Sequence, residues 1–443
     1  MESDSLYFSY LISLKSCFIS LSYLKKLILY IVIFDFSVSS PSLSIFSLSV
    51  SKNNNIGAKR MIRKINDSQF LGCLKYLKTG EIGGRVYPLI LGAAFGVSHN
   101  AYAEDSYNID YFGNLDIGVH SHQLSGQDSK FEVDGGMLST SYAGVRANAP
   151  LSESLTLNAE IASFFRLDDG DITRGLDGEG TFSRAAWAGI KGGFGSIRLG
   201  RISTLNFINT IRFNPFGASP KFSPSFMHNY VGSPAQPMST GMGGSDSGWD
   251  NTINYTAPKL AGAVLSLSYA PDEGSNRGER MGGSITVGGY PFAAVLSVEK
   301  ITDASITYPM ALTTLATAFP VFTAQQYSTR QLGTSYDFKT FKLFGQLSRS
   351  KVEGMRAGGA QNYEIKMAQF GISVPAGPGV AKASFANSTM DRSWGANLKR
   401  DTLTVGYDYT LSDNAIWYTR YMHDKVSDLS VGNSYAMGVN YSF

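Results

Sequence analysis

The chain has 443 residues, a formal net charge of +3 and two cysteines, and 12% of its residues are aromatic. Both cysteines, Cys17 and Cys73, lie in the N-terminal quarter of the chain, so disulfide bonds cannot hold the rest together and a cysteine-rich scaffold is excluded. No later segment approaches the roughly 20 consecutive apolar residues of a membrane-spanning helix. If this part enters a membrane, it must do so as a closed β-barrel, because only a closed sheet pairs all its backbone groups in hydrocarbon.

The N-terminal region predicts an export signal. Residues 61–103 begin with a methionine and basic residues, continue with the apolar run Val86–Val97 and end in the small-residue cleavage site Ala101–Ala103. Residues 1–60 are rich in Ser, Leu, Ile and Phe without a pattern, and we interpret them as an unstructured extension read from an upstream start. Removing both parts leaves residues 104–443, which we predict to form one slightly acidic domain.

Apolar and polar residues alternate in most segments of this domain. In the last segment Tyr435, Met437, Val439, Tyr441 and Phe443 share one face, and the residues between them are small or polar. A two-residue period predicts strands with one face in lipid. Short turns alternate with long polar loops, as in outer-membrane barrels. We therefore predict an all-β fold, a closed antiparallel transmembrane β-barrel. Its sixteen predicted strands lie at residues 109–119, 142–146, 155–161, two within 182–201, 250–257, 262–270, 281–289, 291–300, 329–338, 340–350, 363–374, 380–388, 401–411, 414–424 and 433–443.

The segment Phe182–Arg201, FSRAAWAGIKGGFGSIRLGR, predicts a hairpin around a glycine-rich turn. Alternation places Arg184 and Arg198 on the polar, inward faces of its two strands. Trp187 falls on the face opposite to Arg184, and we expect it, with other aromatic residues near strand ends, at the membrane interface. The long segment Ser203–Gly248 follows, rich in Gly, Pro and Ser. A charged inner face beside such a loop is typical of a water-filled barrel narrowed by an infolded loop.

This hairpin resembles a segment of the trimeric general porins of Gram-negative outer membranes. Those proteins have the pattern G-R-x-A-(aromatic)-x-G-(L/I)-x-G-x-F-G-x-(V/I)-x-L-G-R, and residues 183–201 read SRAAWAGIKGGFGSIRLGR. The resemblance extends over residues 107–443. It implies a homotrimer in outer-membrane lipid, with a third loop folded into each barrel. The implied function is passive diffusion of small hydrophilic solutes and ions through a water-filled channel.

In that family, wall arginines face carboxylates and carbonyls of the third loop across the pore constriction. Arg184 matches the wall arginine of the motif, Arg198 shares its inward face, and Arg146 occupies a basic position on the second strand. Tyr142 stands where another wall arginine is common. We expect these residues to set the selectivity of the channel, because facing charges in a narrow neck select solutes.

The loop departs from the family pattern in its charge. Asn214-Pro215-Phe216-Gly217 replaces the usual Asp-Pro-Phe-Gly, and no carboxylate occurs between Arg201 and Asp246. The basic residues Arg212, Lys221 and His228 do occur there. We therefore predict a positive neck that prefers anions. In the alternative, Arg212 and Lys221 lie in an exposed part of the loop and affect nothing.

The last residues carry a second resemblance. Tyr441 and Phe443 are similar to the terminal aromatic signal that the barrel-insertion machinery recognises in outer-membrane proteins, so they imply that partner. We expect no catalysis, cofactor, metal or nucleic acid, since the sequence contains no G-x-S-x-G, H-E-x-x-H or phosphate-loop motif. His120 and His122 would form a metal-binding pair on one strand face, but we favour a polar rim. The acidic loop 168–180 is interpreted as a solvated external loop rather than a calcium site.

One alternative function is a substrate-specific channel for a sugar or small organic acid, and an outer-membrane barrel enzyme is a more remote one. In the specific channel, aromatic loop residues would line the path of the solute. In the general porin, they would anchor the loop against the wall. The residues concerned are Phe207, Phe213, Phe216 and Phe222.

Overall fold

The structure is a computed structural model that describes residues 107–174, 179–231, 247–274, 277–308, 322–356 and 359–443. The predicted extension 1–60 and export signal 61–103 lie outside the described residues. The strands are β1 (Asn108–His122), β2 (Lys130–Asp134), β3 (Tyr142–Ser152), β4 (Leu155–Phe164), β5 (Ala185–Gly192), β6 (Gly195–Ser203), β7 (Gly248–Thr256), β8 (Ala263–Ala270), β9 (Glu279–Gly288), β10 (Phe292–Thr302), β11 (Ile306–Tyr308), β12 (Phe322–Asp337), β13 (Lys342–Arg356), β14 (Gly359–Ala376), β15 (Gly379–Arg392), β16 (Leu398–Ser412), β17 (Ala415–Val426) and β18 (Gly432–Ser442). The helices are α1 (Leu205–Arg212) and α2 (Pro224–Tyr230).

The described strands close into one antiparallel barrel. Apart from two interruptions, each strand pairs with its sequence neighbours, and the first strand pairs with the last, for example Val119 with Met437. Two wall strands are interrupted: β2 and β3 both pair with β1, and β10 and β11 both pair with β12. Counting each interrupted pair as one strand gives the predicted 16-stranded barrel.

The two faces of the wall have opposite chemistry. On β13, Gln346 and Ser348 are buried on the inner face, whereas Leu347 between them is 54% exposed on the outer face. A soluble sandwich would bury the leucine and expose the polar residues. The inverted pattern follows from the two-residue period of a strand whose outer face meets lipid and whose inner face meets polar atoms.

The hairpin β5–β6 turns over Gly192–Gly195. Gly195 has a φ of +103°, and a Cβ atom there would lie 2.1 Å from the carbonyl oxygen of Thr256 on the adjacent strand. Only glycine combines that backbone conformation with so close an approach. The predicted turn is therefore a tight connection that lets β6 pair with both β5 and β7.

The segment from Thr204 to Tyr230 contains α1 and α2 and packs inside the barrel. Thr204 caps α1 by accepting a hydrogen bond from the amide of Phe207, and Ser223 caps α2, which has proline in its first turn. None of the described helices is long and apolar enough to cross a membrane.

Polar residues of the inner wall hold this inner segment. On β12, Gln331 Nε2 donates to Thr210 Oγ1 at 2.7 Å, and on β13, Gln346 Nε2 donates to the carbonyl of Thr210 at 3.0 Å. Further along β13, Ser348 Oγ donates to Asn229 Oδ1 at 3.0 Å. These donors share the inward face of the wall, so the segment lies in the lumen rather than above it.

The interruption between β2 and β3, residues 135–141, also turns into the lumen. The carboxylate of Asp116 accepts hydrogen bonds from the amides of Leu138 and Ser139 at 2.9 and 3.2 Å. Met137 is fully buried in a cluster that contains Phe222 and Met227 of the inner segment. The interrupted wall strand therefore supports the inner segment from one side.

A buried ion pair joins β16 to β17 behind α2. Arg400 Nε donates to Asp424 Oδ1 at 2.8 Å, and neither side chain is exposed. Thr402 Oγ1 donates to the same carboxylate oxygen at 2.6 Å and lies 2.8 Å from Nε2 of His228. Burial, followed by the charge of Arg400, holds the pKa of His228 well below its usual range, so the ring stays neutral.

Substitution Arg400→Leu is expected to destabilise the barrel by about 3 kcal/mol, because it leaves the buried Asp424 carboxylate without its cation. The measurement is the midpoint temperature at which the folded species is lost on gels in detergent. The matched control is Arg349→Leu, which removes a 66% exposed side chain paired with Glu364 and should cost less than about 1 kcal/mol. Equal midpoints for the two variants would contradict this account.

Candidate functional site

A cavity of about 620 Å³ lies between the inner face of β3–β6 and the inner segment. Its lining is rich in cations. The basic side chains around it are Arg146, Arg166, Arg174, Arg184, Arg198 and Lys221, and the carboxylates are Asp134 and Glu160. Arg166 and Arg174 are paired with acids of their own loop, and Lys221 is paired with Asp134. The excess positive charge therefore comes from the wall, where Arg146, Arg184 and Arg198 face the single carboxylate of Glu160, and it gives this part of the lumen a positive potential.

Two of the arginines share one carboxylate. Arg146 and Glu160 are direct cross-strand neighbours on β3 and β4, so their side chains lie on the same face. Arg146 Nη2 donates to Glu160 Oε2 at 2.9 Å, and Arg184 Nη1 lies 3.2 Å from Oε1. The carboxylate is 8% exposed. Glu160 therefore fixes both guanidinium groups and offsets one of their two charges.

Aromatic rings orient the same arginines. The Arg184 guanidinium lies 3.9 Å from the centre of the Tyr142 ring, and that of Arg146 lies 4.6 Å from the centre of the Phe112 ring. Stacking on a ring face stabilises a cation without neutralising it. Tyr142 stands where the family often has arginine. It stabilises the charge of Arg184 but adds no charge of its own.

Arg198 lines the cavity in a different setting. Its Nε and Nη2 donate to Asn254 Oδ1 at 3.3 and 2.8 Å, and its guanidinium lies 5.1 Å from the ring centre of Trp187. Within the ranges that the structure describes, no carboxylate lies at ion-pair distance from it. Arg198 therefore presents a full positive charge to the cavity.

The structure corrects the predicted position of Trp187. This residue lines the cavity and lies directly opposite Glu160, so it faces the lumen and not the membrane interface. Arg184 also faces the lumen, although alternation places the two on opposite faces. The reason is that β5 begins at Ala185, so Arg184 lies outside the strand and its side chain is not bound by the alternation.

Lys221 joins the inner segment to β2. Its ammonium forms an ion pair with Asp134 and lies 3.4 Å from His120 Nε2. His120, Glu132 and Asp134 have potential ligand atoms within 4.8 Å of one another. His120 is 2% exposed, so it is a buried residue rather than the solvated rim that we expected. The Lys221 ammonium lies among these ligand atoms, and Asp134 offsets most of the positive charge of Lys221.

Of the other basic loop residues, neither borders the cavity. Arg212 is exposed, and its guanidinium lies 5.4 Å from the ring centre of Phe213. His228 is buried against β16. The expected positive neck therefore receives only Lys221 from the inner segment, and its other five cations come from the wall and from the loop between β4 and β5.

The four residues Asn214, Pro215, Phe216 and Gly217 fasten the inner segment and do not line the cavity. Asn214 Nδ2 donates to the carbonyl of Thr210 at 2.7 Å and to that of Gly217 at 3.2 Å. An aspartate oxygen would be repelled by both carbonyls, which accounts for asparagine in place of the family aspartate.

The wall meets this turn closely. A Cβ atom at position 371 would lie 2.5 Å from Cδ of Pro215, so Gly371 lets the proline approach the wall. Phe216 is 4% exposed, and the Arg420 guanidinium lies 5.4 Å from the centre of its ring. The turn is therefore clamped between β14 and β17.

The aromatic residues of the inner segment divide into two groups. Phe213 and Phe222 are completely buried and anchor the segment. Phe213 packs against β10, and Phe222 packs against Met137 in the segment between β2 and β3. Phe207 instead borders the cavity, together with Ile208 and Ile211 of α1. The surface that α1 turns toward the arginines is thus apolar.

Sequence reasoning missed Arg166, Arg174 and Glu160. Arg166 lies just before the acidic loop and Arg174 lies within it, where Arg174 Nε is 2.5 Å from Glu179 Oε1. Burial raises the pKa of Glu179, but hydrogen bonds and the charge of Arg174 outweigh it and hold that pKa below its usual value. Among the described residues of this region, Asp169 and Asp171 pair with Arg166, and Glu179 pairs with Arg174. Glu160 was detectable, because an acid on the inward face of β4 meets Arg146 in register.

Comparisons with known proteins agree with this architecture. The family model described as Gram-negative porin matches residues 90–429. Outer membrane porin protein 32 of Delftia acidovorans is 25% identical over 360 residues, which cover 79% of this chain and 93% of that protein.

Solved structures show the same fold. An anion-selective porin from Comamonas acidovorans superposes with a TM-score of 0.60 at 21% identity, covering 76% of this chain and all of that one. A loop-deletion mutant of OmpT, an outer membrane protein of Vibrio cholerae, superposes with a TM-score of 0.58 at 15% identity, again over 76% of this chain and all of the other. With a family model that spans most of its length and a closed barrel around a charged lumen, the chain belongs to the Gram-negative porin family and forms a channel in the outer membrane.

Proposed function

We propose that the channel passes small hydrophilic solutes by passive diffusion and prefers anions. The observation that carries this proposal is the wall of the cavity, where Arg146, Arg184 and Arg198 face the single carboxylate of Glu160. One sign of charge in a narrow, low-dielectric neck concentrates counter-ions and repels co-ions. The solved relative from Comamonas acidovorans is described as anion-selective, which supports the same assignment here.

The remaining assignments concern assembly. The channel is a homotrimer, in which outer apolar faces meet either lipid or a neighbouring subunit, and chemical cross-linking in membranes measures this state. Residues 61–103 direct export and are removed, and residues 1–60 do not belong to the exported protein. The N-terminal sequence of the purified channel tests the cleavage boundary, since it should begin at Glu104. Expression from a gene that starts at Met61 tests the other boundary, since it should give the same amount of channel.

Substitution Arg198→Gln is expected to lower the chloride-to-potassium permeability ratio by about a factor of two or more, because it removes a cavity arginine that forms no ion pair with any described carboxylate. The reversal potential across a planar bilayer in a KCl gradient measures this ratio. Arg349→Gln, on the exposed outer wall, removes the same charge outside the lumen and should leave the potential unchanged. Cation preference in the unmodified channel would refute the proposed function itself.

Substitution Glu160→Gln should act in the opposite direction. It removes the carboxylate that offsets Arg146 and Arg184, so the positive potential and the anion preference should both rise. The same bilayer measurement applies, with Asp413→Asn in an exposed turn as the charge-matched control. An unchanged anion preference would show that this carboxylate does not lie in the ion path, and a fall would contradict the expected sign.

The C-terminal aromatic residue is proposed to mark the chain for the barrel-insertion machinery. Phe443 also closes the barrel, since its amide donates to the carbonyl of Gly113 at 3.1 Å and its carbonyl accepts from the amide of Gly113 at 2.9 Å. Phe443→Ala keeps those backbone bonds and should still lower the amount of folded barrel in the outer membrane. Phe338→Ala, an exposed aromatic of a short turn, is the control, and equal yields would exclude the signal.

A further inference from the structure

The apolar surface of α1 is unexpected in a water-filled neck. Phe207, Ile208 and Ile211 border the cavity, and Ile208 is 38% exposed. No carboxylate occurs in the sequence between Arg201 and Asp246, so this side of the neck offers no counter-charge to the arginines. Exposed apolar surface costs free energy in water, and grouped apolar residues at a site of passage indicate a partner with apolar surface.

On the opposite side, Arg198 is the wall arginine that has no carboxylate partner among the described residues. Arg146 and Arg184 share the carboxylate of Glu160, whereas Arg198 binds only the neutral amide of Asn254 among the described residues. Trp187 lies beside Arg198 and adds a ring to the same part of the cavity. A solute that contacts both Arg198 and α1 would therefore carry an anionic group at one end and an apolar body at the other.

From this arrangement we infer that the constriction is a binding subsite for organic monocarboxylates with an aromatic or branched apolar body. The solute's carboxylate accepts hydrogen bonds from Arg198, and its body lies against Ile208 and Phe207 of α1. This inference rests on the proposed anion preference and adds a solute class to it. An inorganic anion would contact the arginine alone. The hydroxyl groups of a sugar would find no polar partners on the apolar face of α1.

The test uses the full-length channel in planar bilayers at neutral pH, with chloride current as the readout and benzoate and acetate as probes. Benzoate is expected to reduce the current in a saturable manner, and acetate at the same concentration is not. Ile208→Ser should weaken the benzoate block about fivefold, because the ring loses its apolar contact. The control Ile172→Ser changes an equally exposed isoleucine that does not border the cavity and should leave the block unchanged.

The outcomes separate this inference from the function on which it rests. If the KCl reversal potential shows anion preference while benzoate and acetate behave alike, the subsite is refuted and the proposed function stands. An unchanged benzoate block in Ile208→Ser, or an equal loss in Ile172→Ser, also refutes the subsite. Cation preference in KCl refutes both. Selective block that Ile208→Ser removes, with anion preference retained, supports the subsite.

Discussion

The structure depends on the need to pair every backbone amide and carbonyl of a sheet that has lipid on one side. A closed antiparallel ladder meets this need, because its first and last strands bond each other and no edge remains. Closure fixes which face of each strand points inward, since side chains alternate strictly between the two sides. The polar inner wall, the apolar outer wall and the inward position of Arg146, Glu160 and Arg198 all follow from that one constraint.

The inner segment depends on the wall in turn. Glutamine and serine side chains that would be solvated in an empty pore donate hydrogen bonds to α1 and α2 and hold them in the lumen. Buried phenylalanines add apolar anchors, and Asn214 fixes the turn between the helices through its amide group. With the segment held in this way, the width and the chemistry of the passage are set by a small number of side chains. These are the arginine wall on one side and the apolar face of α1 on the other.

Periodicity was enough to predict the barrel, because a strand exposed to lipid must alternate and a turn must interrupt it. It failed where the chain leaves the ladder. Arg184 lies just before β5, so counting the alternation from Arg184 wrongly placed Trp187 at the membrane interface instead of in the lumen. Arg212 and His228 lie in a segment without a repeat, where only tertiary contacts decide which side chain meets the cavity. Arg166 and Arg174 lie in a loop whose acidic composition concealed them. The sign of the charge at the site was thus predictable, but only some of the residues that line it were.

The break between β2 and β3 has a consequence for how such channels diverge. Residues 135–141 leave the ladder, and the carbonyls of Gly136 and Met137 accept hydrogen bonds from Ser219 of the inner segment. An insertion or deletion within residues 135–141 would shift the inner segment relative to the wall, while the strand pairs on either side kept their register. The width of the passage and its charge can therefore change independently in this barrel. The length of the segment 135–141 changes the width, and substitutions on β3–β6 change the charge.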